Sequence, residues 1–579
     1  MKSGVDMLAP ELALHAWVLR HGGDALLARA AASAARAERE GHACAWLGEE
    51  GFDAAQLAAL RAAPWVSAEV ADAPFVLDAA GRFYLRRNAA AEQVVAAALQ
   101  ARATAPSFAV QGQGALLQTL LPGAASAEQR HALAAAFGRK LFVLTGGPGT
   151  GKTTSLLALL LGLLRLHREC GWPGLPRIAL AAPTGKAAAR LQQALRLGLE
   201  QMRARLGGAA EWQATLQRMP PLVASTLHRL LGARLHRHGA ALPADIVAVD
   251  EASMVDLGLM HALLQALRPD SLLILLGDPD QLASVEAGSV LADIVAAATP
   301  GSALAGCSGR LTHSHRAQAG LLPLLAAART DDAETLLDAA VVADSAASAS
   351  GTAPLFLRRV PRDAAGLRAA LHAWLQRHAD VYVRLLQPGI APAEALQLLG
   401  RAQLLCALRS GPFGQLAINR AVEAWLRQQH AIPAGFWYPG RVVMITRNDA
   451  DSGLANGDVG VALQGHNGLE VWFDAQDAAG LPAPRALPPH YLPEHELACA
   501  ITIHKSQGSE YEHVAVLLPP DADSPVLSRE LLYTALSRAR RSVELWAGED
   551  ALRAALSRPV HRAGGLRERL GGAARIGDA

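Results

Sequence analysis

The sequence is short of cysteine and of net charge, and it has no long apolar run. Its five cysteines, Cys44, Cys170, Cys307, Cys406 and Cys499, are scattered, odd in number and form no C-x-x-C pair. That pattern argues against a disulfide framework or a zinc site and fits a reducing cytosol. The formal net charge is +2. No global field therefore draws the molecule onto a polyanion, and any nucleic-acid binding must come from local Lys and Arg placement and from backbone N–H groups. The longest apolar stretch, S-L-L-A-L-L-L-G-L-L, ends at Arg165, well short of the roughly 20 residues of a membrane-spanning helix. The opening M-K-S-G-V-D-M-L-A-P-E lacks the apolar centre of a signal peptide. A soluble, cytoplasmic protein is expected. What is present is a 579-residue chain, 51% hydrophobic and 18% charged, which reads as globular and long enough for about four domains.

One stretch carries a specific chemistry. Leu141–Thr154 reads L-F-V-L-T-G-G-P-G-T-G-K-T-T, a strand-prone run entering a glycine-rich turn with a helical pattern directly behind it. It contains G-x-x-x-x-G-K-[ST] from Gly146 to Thr153 in the strand–loop–helix context where that pattern has a mechanism. Glycines let consecutive backbone N–H groups turn toward a phosphate, and the following helix presents its positive end to the same anion. Gly146, Gly147, Pro148, Gly149, Thr150, Gly151, Lys152, Thr153 and Thr154 are thus the candidate nucleoside-triphosphate cradle. Lys152 is placed for the β/γ-phosphates and the Thr153 hydroxyl for Mg²⁺.

The remaining candidates lie at the ends of further apolar strands. D-I-V-A-V-D-E-A-S-M delivers Asp250, to hold the metal together with Thr153, and Glu251, to polarise a water. S-L-L-I-L-L-G-D-P-D-Q-L ends at Gln281, within reach of a γ-phosphate. P-R-I-A-L-A-A-P-T-G-K-A-A-A-R puts Pro183, Thr184 and Lys186 at the carboxyl edge of a parallel sheet, where α/β proteins place ligands. Thr226 and His228 stand at a helix start, which also reads as a simple N-cap. Upstream, Ser126 with Gln129 fits a capping box, while an amide one helix before a P-loop also has the donor and acceptor to read an adenine edge. Downstream, Thr502, His504, Lys505, Ser506, Gly508 and Glu510 crowd one polar loop between two apolar strands. Tyr533 and Arg538 follow on a helix. Phe436, Trp437 and Tyr438 fit either base stacking or core packing.

Taken in order, these pieces resemble the motif set of superfamily 1 helicases. The P-loop resembles motif I, A-P-T-G-K-A-A motif Ia, T-L-H-R-L-L motif Ib and V-D-E-A-S-M motif II. L-G-D-P-D-Q-L resembles motif III, L-T-H-S-H-R-A-Q motif IV, T-I-H-K-S-Q-G-S-E motif V and Y-T-A-L-S-R-A motif VI. The wording of motifs III, V and VI, with L-C-A-L-R-S-G-P-F-G and W-Y-P-G-R-V-V-M-I-T-R-N-D, is similar to the RecD family, the α subunits of exodeoxyribonuclease V. The helix-hairpin-helix repeats usual in stand-alone RecD2 enzymes are not found.

The resemblance implies an ATP- and Mg²⁺-dependent 5′→3′ translocase on single-stranded DNA, loading at DNA ends beside RecB- and RecC-like subunits. It implies that Gln129 reads adenine, Gln281 senses the γ-phosphate, Arg316 and Arg538 act as arginine fingers and Glu510 touches the ribose. Pro183, Thr184, Lys186, Thr226, His228, Thr502, His504, Lys505 and Ser506 would face DNA. The expected fold is α/β, with two RecA-like doubly wound parallel-sheet lobes. Residues 1–115 are expected to form a helical partner-contact module and 116–305 the first lobe. Residues 306–430 with 491–560 would be the second lobe, 431–490 an SH3-like β-barrel insertion and 561–579 a flexible tail. Competing readings are a RecD2-like helicase, an ATP-gated scaffold and a nuclease within this chain.

Overall fold

A computed structural model describes residues 9–106, 112–170, 174–232, 241–314, 320–338, 341–342, 355–358, 364–430, 432, 435–449, 451–465, 468–475 and 483–571. Arg316 lies outside the described residues, as does most of the low-complexity stretch 339–354.

The N-terminal unit corrects the expectation of an all-helical module. Helices Ala9–Arg20, Ala25–Arg39, Ala54–Ala62 and Arg86–Ala103 pack with a four-stranded sheet in the order Ala45–Trp46, Arg82–Leu85, Phe75–Leu77, Val66–Ser67. Ala28, Ala30, Ala31 and Ala34 are buried along one helix, where small side chains allow close approach of neighbours. Asp24 caps that helix by accepting from Leu27 N–H, and Asp53 forms a full capping box with Gln56.

The first lobe is a six-stranded parallel sheet in the order Ser308–Leu311, Leu141–Gly146, Leu272–Gly277, Ile246–Val249, Ile178–Ala182, Ala224–Thr226. Strands Leu141–Gly146 and Leu272–Gly277 are buried at every position, as expected where helices cover both faces of a parallel sheet. The helix Lys152–Glu169 is enclosed between this sheet and neighbouring helices, with Leu156 to Leu161 all fully buried. Each such leucine contributes about 1.5–3 kcal/mol of burial. Ser308–Leu311 pairs with the P-loop strand, so the first lobe extends past the expected boundary at 305.

The second lobe repeats the architecture, with parallel strands in the order Val341–Val342, Leu355–Arg358, Ala539–Trp546, Tyr511–Leu517, Ala402–Cys406, Ala500–Thr502. Between Gln415–Gln429 and Ala500–Thr502 the chain leaves the lobe to form a five-stranded antiparallel sheet. Its order is Arg485–Leu487, Gly468–Phe473, Val459–Gly465, Val442–Ile445, His495–Leu497. The last strand carries this insertion beyond the expected end at 490. Asn456-Gly457 forms a turn, with Gly457 at φ 94°, at the end of the long loop between Ile445 and Val459.

The tail is also a correction. Residues 561–571 are ordered against the N-terminal unit and the first lobe, and Leu566 and Leu570 are buried there. Arg562 donates to the Glu40 and Ser284 carbonyls, and Arg82 holds Asp78 at 2.7 Å and Glu568 at 2.6 Å. Residues 572–579 are outside the described set.

The lobes meet at the loop Asp278–Leu282. Leu282 comes from the first lobe, yet its side chain is buried within the core of the second. Its N–H donates to Thr534 Oγ1 at 2.9 Å and its carbonyl accepts from Gln507 Nε2 at 2.8 Å.

Candidate active site

The P-loop leaves its strand at the carboxyl edge of the first sheet. Gly149 and Gly151 take the left-handed conformation, at φ 73° and 86°, which a side chain would strain. Thr150 is buried and ties the turn shut by donating to the Gly147 carbonyl at 2.9 Å. Lys152 begins the following helix, and its ammonium sits inside the turn, 2.6 Å from the Gly146 carbonyl and 3.1 Å from that of Gly147.

Of the two readings of Gln129, the structure removes the capping box. Ser126 stands at the N-cap but makes no side-chain capping bond, so the capping box is absent. Buried Gln129 instead approaches the P-loop, its Nε2 3.5 Å from the Thr150 carbonyl and 3.4 Å from that of Gly151. The amide thus reaches the edge of the cradle from the side.

Asp250 and Glu251 follow the strand Ile246–Val249. Asp250 Oδ1 accepts from the Glu251 N–H at 2.9 Å, which turns Glu251 into a left-handed conformation at φ 52°. A non-glycine residue held there costs about 1–3 kcal/mol, and such outliers cluster at functional sites. Burial first and the neighbouring Glu251 charge second push the Asp250 carboxyl up, against the pull of Lys152 and Arg190.

Gln281 is buried, its Nε2 held by Asp278 Oδ2 at 3.1 Å and its Oε1 left without a hydrogen-bond partner. Arg538 comes from the second lobe and is only 3% exposed. Its guanidinium donates to the Thr534 and Ser509 carbonyls at 3.0 and 3.2 Å and to Ser537 Oγ at 2.8 Å. These groups converge. A cleft of about 360 Å³ is lined from one side by Gln129, residues 148–154, Asp250, Glu251 and Gln281 and from the other by Gly508, Glu510 and Arg538.

Glu510 is engaged by two cations, Arg190 of the first lobe at 3.0 Å and Arg540 at 2.9 Å. Arg190 also donates to the Gly508 carbonyl. Two arginines at this cleft were not singled out from sequence. Arg190 ends the A-P-T-G-K-A-A-A-R run, whereas Arg329 lies in A-A-A-R-T with no local cue and approaches the P-loop from the second lobe. A Cβ on Gly147 would lie 2.6 Å from its Nη2.

The residues expected to face DNA divide. Thr184 and Thr226 are N-caps, accepting from Ala187 and Arg229 N–H at 3.2 and 3.1 Å, and His228 beside the second cap is exposed. Pro183 and Thr502 are half-buried. Lys186 lies 6.0 Å from the Tyr511 ring. Its charge partly offsets the upward push that burial gives the Asp458 and Asp474 carboxyls of the insertion. Lys505 is paired with Glu496 at 2.7 Å. His504 is held below its ordinary pKa by burial and then by the Arg562 charge. Ser506 is a correction, because it is fully buried and its hydroxyl donates to the Ile503 carbonyl at 2.6 Å. Of the three consecutive aromatics, Tyr438 is core, Trp437 packs partly on the insertion's core, and Phe436 is 61% exposed with Arg441 over its ring.

Among the described residues, no group of three or more His, Cys, Asp or Glu side chains is arranged to hold a metal ion. No helix among them is long and apolar enough to cross a membrane.

Comparison with known proteins places the chain among helicase subunits. The family described as AAA domain matches residues 129–287, and that described as UvrD-like helicase C-terminal domain matches 497–545. The chain is 42% identical over 460 residues to the RecBCD enzyme subunit RecD of Mycolicibacterium smegmatis, covering 77% of this chain and 76% of that protein. Against the RecBCD enzyme subunit RecD of Haemophilus influenzae it is 34% identical, covering 76% and 71%. It is 31% identical to the ATP-dependent RecD2 DNA helicase of Deinococcus radiodurans, covering 79% of this chain and 54% of that protein. A solved structure of Pif1 helicases at forked DNA aligns over 77% of this chain at 16% identity, with a TM-score of 0.36, too remote to carry an argument.

Proposed function

We propose, from the premise that this chain belongs to the RecD family, that the interlobe cleft is the ATPase centre of a 5′→3′ DNA motor. The chain is an ATP-dependent DNA helicase acting as the RecD-type subunit of a RecBCD-type enzyme. DNA ends are its substrate, RecB- and RecC-like chains its partners, and double-strand break repair and homologous recombination its setting. The subunit reading is preferred to a stand-alone RecD2-like one because the chain is 42% and 34% identical to the RecD relatives against 31% to the RecD2 relative.

The observation that carries the assignment is the convergence of Lys152, Asp250, Glu251 and Gln281 from one lobe with Gly508, Glu510 and Arg538 from the other. ATP phosphates would lie on residues 146–154, with Lys152 exchanging its carbonyl partners for β/γ oxygens and Gln129 at the adenine edge. Thr153 and Asp250 suit Mg²⁺, since a hydroxyl and a buried carboxylate are the hard oxygen donors that ion prefers. When bound, the ion neutralises charge developing on the phosphates. Glu251 would orient and deprotonate the attacking water, Gln281 would accept from that water with its unpartnered Oε1 and could sense the γ-phosphate only by donating from Nε2, and Glu510 would reach the ribose.

Arg538, with Arg316, would supply positive charge from the second lobe, so that ATP favours closure and hydrolysis releases it. Alternate gripping of a strand by Pro183, Thr184, Lys186, Thr226 and His228 on one lobe and Thr502, His504 and Lys505 on the other would move the DNA, with sequence-independent phosphate contacts. The N-terminal unit is read as the partner-contact module and the insertion as SH3-like. The test is strand displacement on 5′- and 3′-tailed duplexes, with ATP turnover measured with and without single-stranded DNA. Unwinding from 5′ tails with DNA-stimulated turnover is expected. Turnover indifferent to DNA would sink the motor and leave the scaffold reading.

A further inference from the structure

Arg329 closes the helix Leu321–Arg329, whose Leu321, Leu324 and Ala328 are buried in the core of the second lobe. Its side chain leaves that core and crosses to the first lobe. Nη2 donates to Tyr533 Oη at 2.5 Å, and the guanidinium carbon stands 4.8 Å from the centre of the Tyr533 ring. Nε lies 3.1 Å from Asp280 Oδ2, and Nη2 lies 3.9 Å from Asp278 Oδ2. Tyr533 is itself buried and donates to Asp278 Oδ2 at 2.8 Å. The same oxygen accepts from Gln281 Nε2. Arg329, Tyr533, Asp278 and Gln281 are therefore one continuous chain of contacts running from the second lobe into the nucleotide cleft. Its near end lies against the P-loop at Gly147.

We infer that Arg329 is a positioning residue for ATP hydrolysis: through Tyr533 and Asp278 it fixes the amide of Gln281, and it does so only while the lobes are together. The physical case rests on the single acceptor. Asp278 Oδ2 is shared between Tyr533 from one lobe and Gln281 from the other, so separating the lobes removes one of its two donors. Water then reaches the carboxylate, which is free to turn, and the side-chain amide of Gln281 loses the fixed acceptor it has in the joined state. The backbone of Gln281 stays in place, its N–H bonded to the Asp278 carbonyl at 3.2 Å, so the change falls on the side-chain amide. Arg329 adds what a neutral residue could not, a half-buried positive charge across from Asp278 and Asp280, in a bidentate-capable planar head. Lobe closure would thus be reported to the catalytic amide by a route distinct from direct phosphate contact.

The inference rests on the assignment of the cleft as the ATPase centre, and the experiment separates the two. Steady-state ATP hydrolysis by the full chain with saturating single-stranded DNA would be compared for Arg329→Ala, Arg329→Lys, Tyr533→Phe and the Arg329→Ala/Tyr533→Phe double variant. Lys152→Ala serves as the reference for the cleft. A displaced catalytic group costs about 100-fold, so Arg329→Ala and Tyr533→Phe should each lower kcat by roughly that order, with KM for ATP changed less than about threefold. The double variant should be no worse than the poorer single one, because both changes cut one chain of contacts, and Arg329→Lys should recover part of the loss. Tyr533→Phe keeps the buried ring, so it tests the route even if Arg329→Ala fails to fold. The inference is overturned by an unchanged kcat, by losses that multiply in the double variant, or by a raised KM at constant kcat, which would mean direct phosphate binding. Normal turnover in Lys152→Ala would instead overturn the cleft assignment.

Discussion

Glu92 offers a test of how the tail is fastened, because its carboxyl is both buried and ionisable. It accepts from the Gly565 N–H with both oxygens, at 3.1 and 3.0 Å, and lies 3.5 Å from Arg569 Nε. Burial, the largest influence, raises its pKa from 4.5 to about 7, with Asp293 adding to the rise and Arg569, the Gly565 N–H and Arg82 opposing it. Because the folded state holds the proton more tightly than the unfolded chain, this group favours folding fully below about pH 4.5. That contribution is lost as pH rises to about 7. The displacement corresponds to about 3 kcal/mol. Glu92→Gln keeps the shape and cannot ionise, so its stability relative to the parent should improve from pH 5 to pH 8. The expected relative gain in melting temperature of the N-terminal unit is on the order of 10 °C, at about 4–8 °C per kcal/mol for a unit of this size. Differential scanning calorimetry of parent and variant at pH 5, 6, 7 and 8 measures it. A difference that stays flat or shrinks with rising pH would refute the assignment of an ionisable, desolvated carboxylate beneath the tail.

Three further outcomes are expected at the cleft. Lys152→Ala should abolish ATP turnover and unwinding while leaving assembly with partner subunits intact, as read by co-purification and single-turnover hydrolysis. Arg538→Ala should retain nucleotide binding by fluorescence titration but hydrolyse at least about 1,000-fold more slowly, the range for loss of an arginine finger; an unchanged rate would count against the two-lobed cleft. Gly147→Ala puts a methyl 2.6 Å from Arg329 Nη2 and 3.1 Å from Tyr533 Oη, where the flexible guanidinium must give way. It should therefore copy the kinetic defect of Arg329→Ala, and wild-type turnover would show the crossing is not needed.

What the sequence revealed was local. The P-loop, the Asp250-Glu251 pair and Gln281 each sit at the end of an apolar strand, so strand, ligand edge and functional group could be read from one short window. The N-terminal sheet escaped because its strands span only two to four residues, too few for a period-two pattern to stand out against alanine-rich helices. Ser308–Leu311, S-G-R-L, joins the first sheet at its edge with one buried side chain, so nothing apolar marks it. The tail was misread from its glycine and arginine content, although Leu566 and Leu570, four residues apart, were the signal of an anchored turn. Arg329 could not be found from sequence, since its partners Asp278 and Tyr533 are about 50 residues before it and about 200 after.

Leu282 sets the mechanics of the whole arrangement. A greasy knob seated in the opposite lobe, and stitched on both sides by Thr534 and Gln507, is the contact best built to stay put if polar contacts around the rim let go. It would then be the fulcrum, and it stands one residue from Gln281. Small displacements at the phosphate end would be applied close to the pivot, and the far ends of both sheets would sweep through the longer arc. Shaving that knob to alanine would leave the chemistry in place but let the lever slip, uncoupling fuel consumption from movement along the strand.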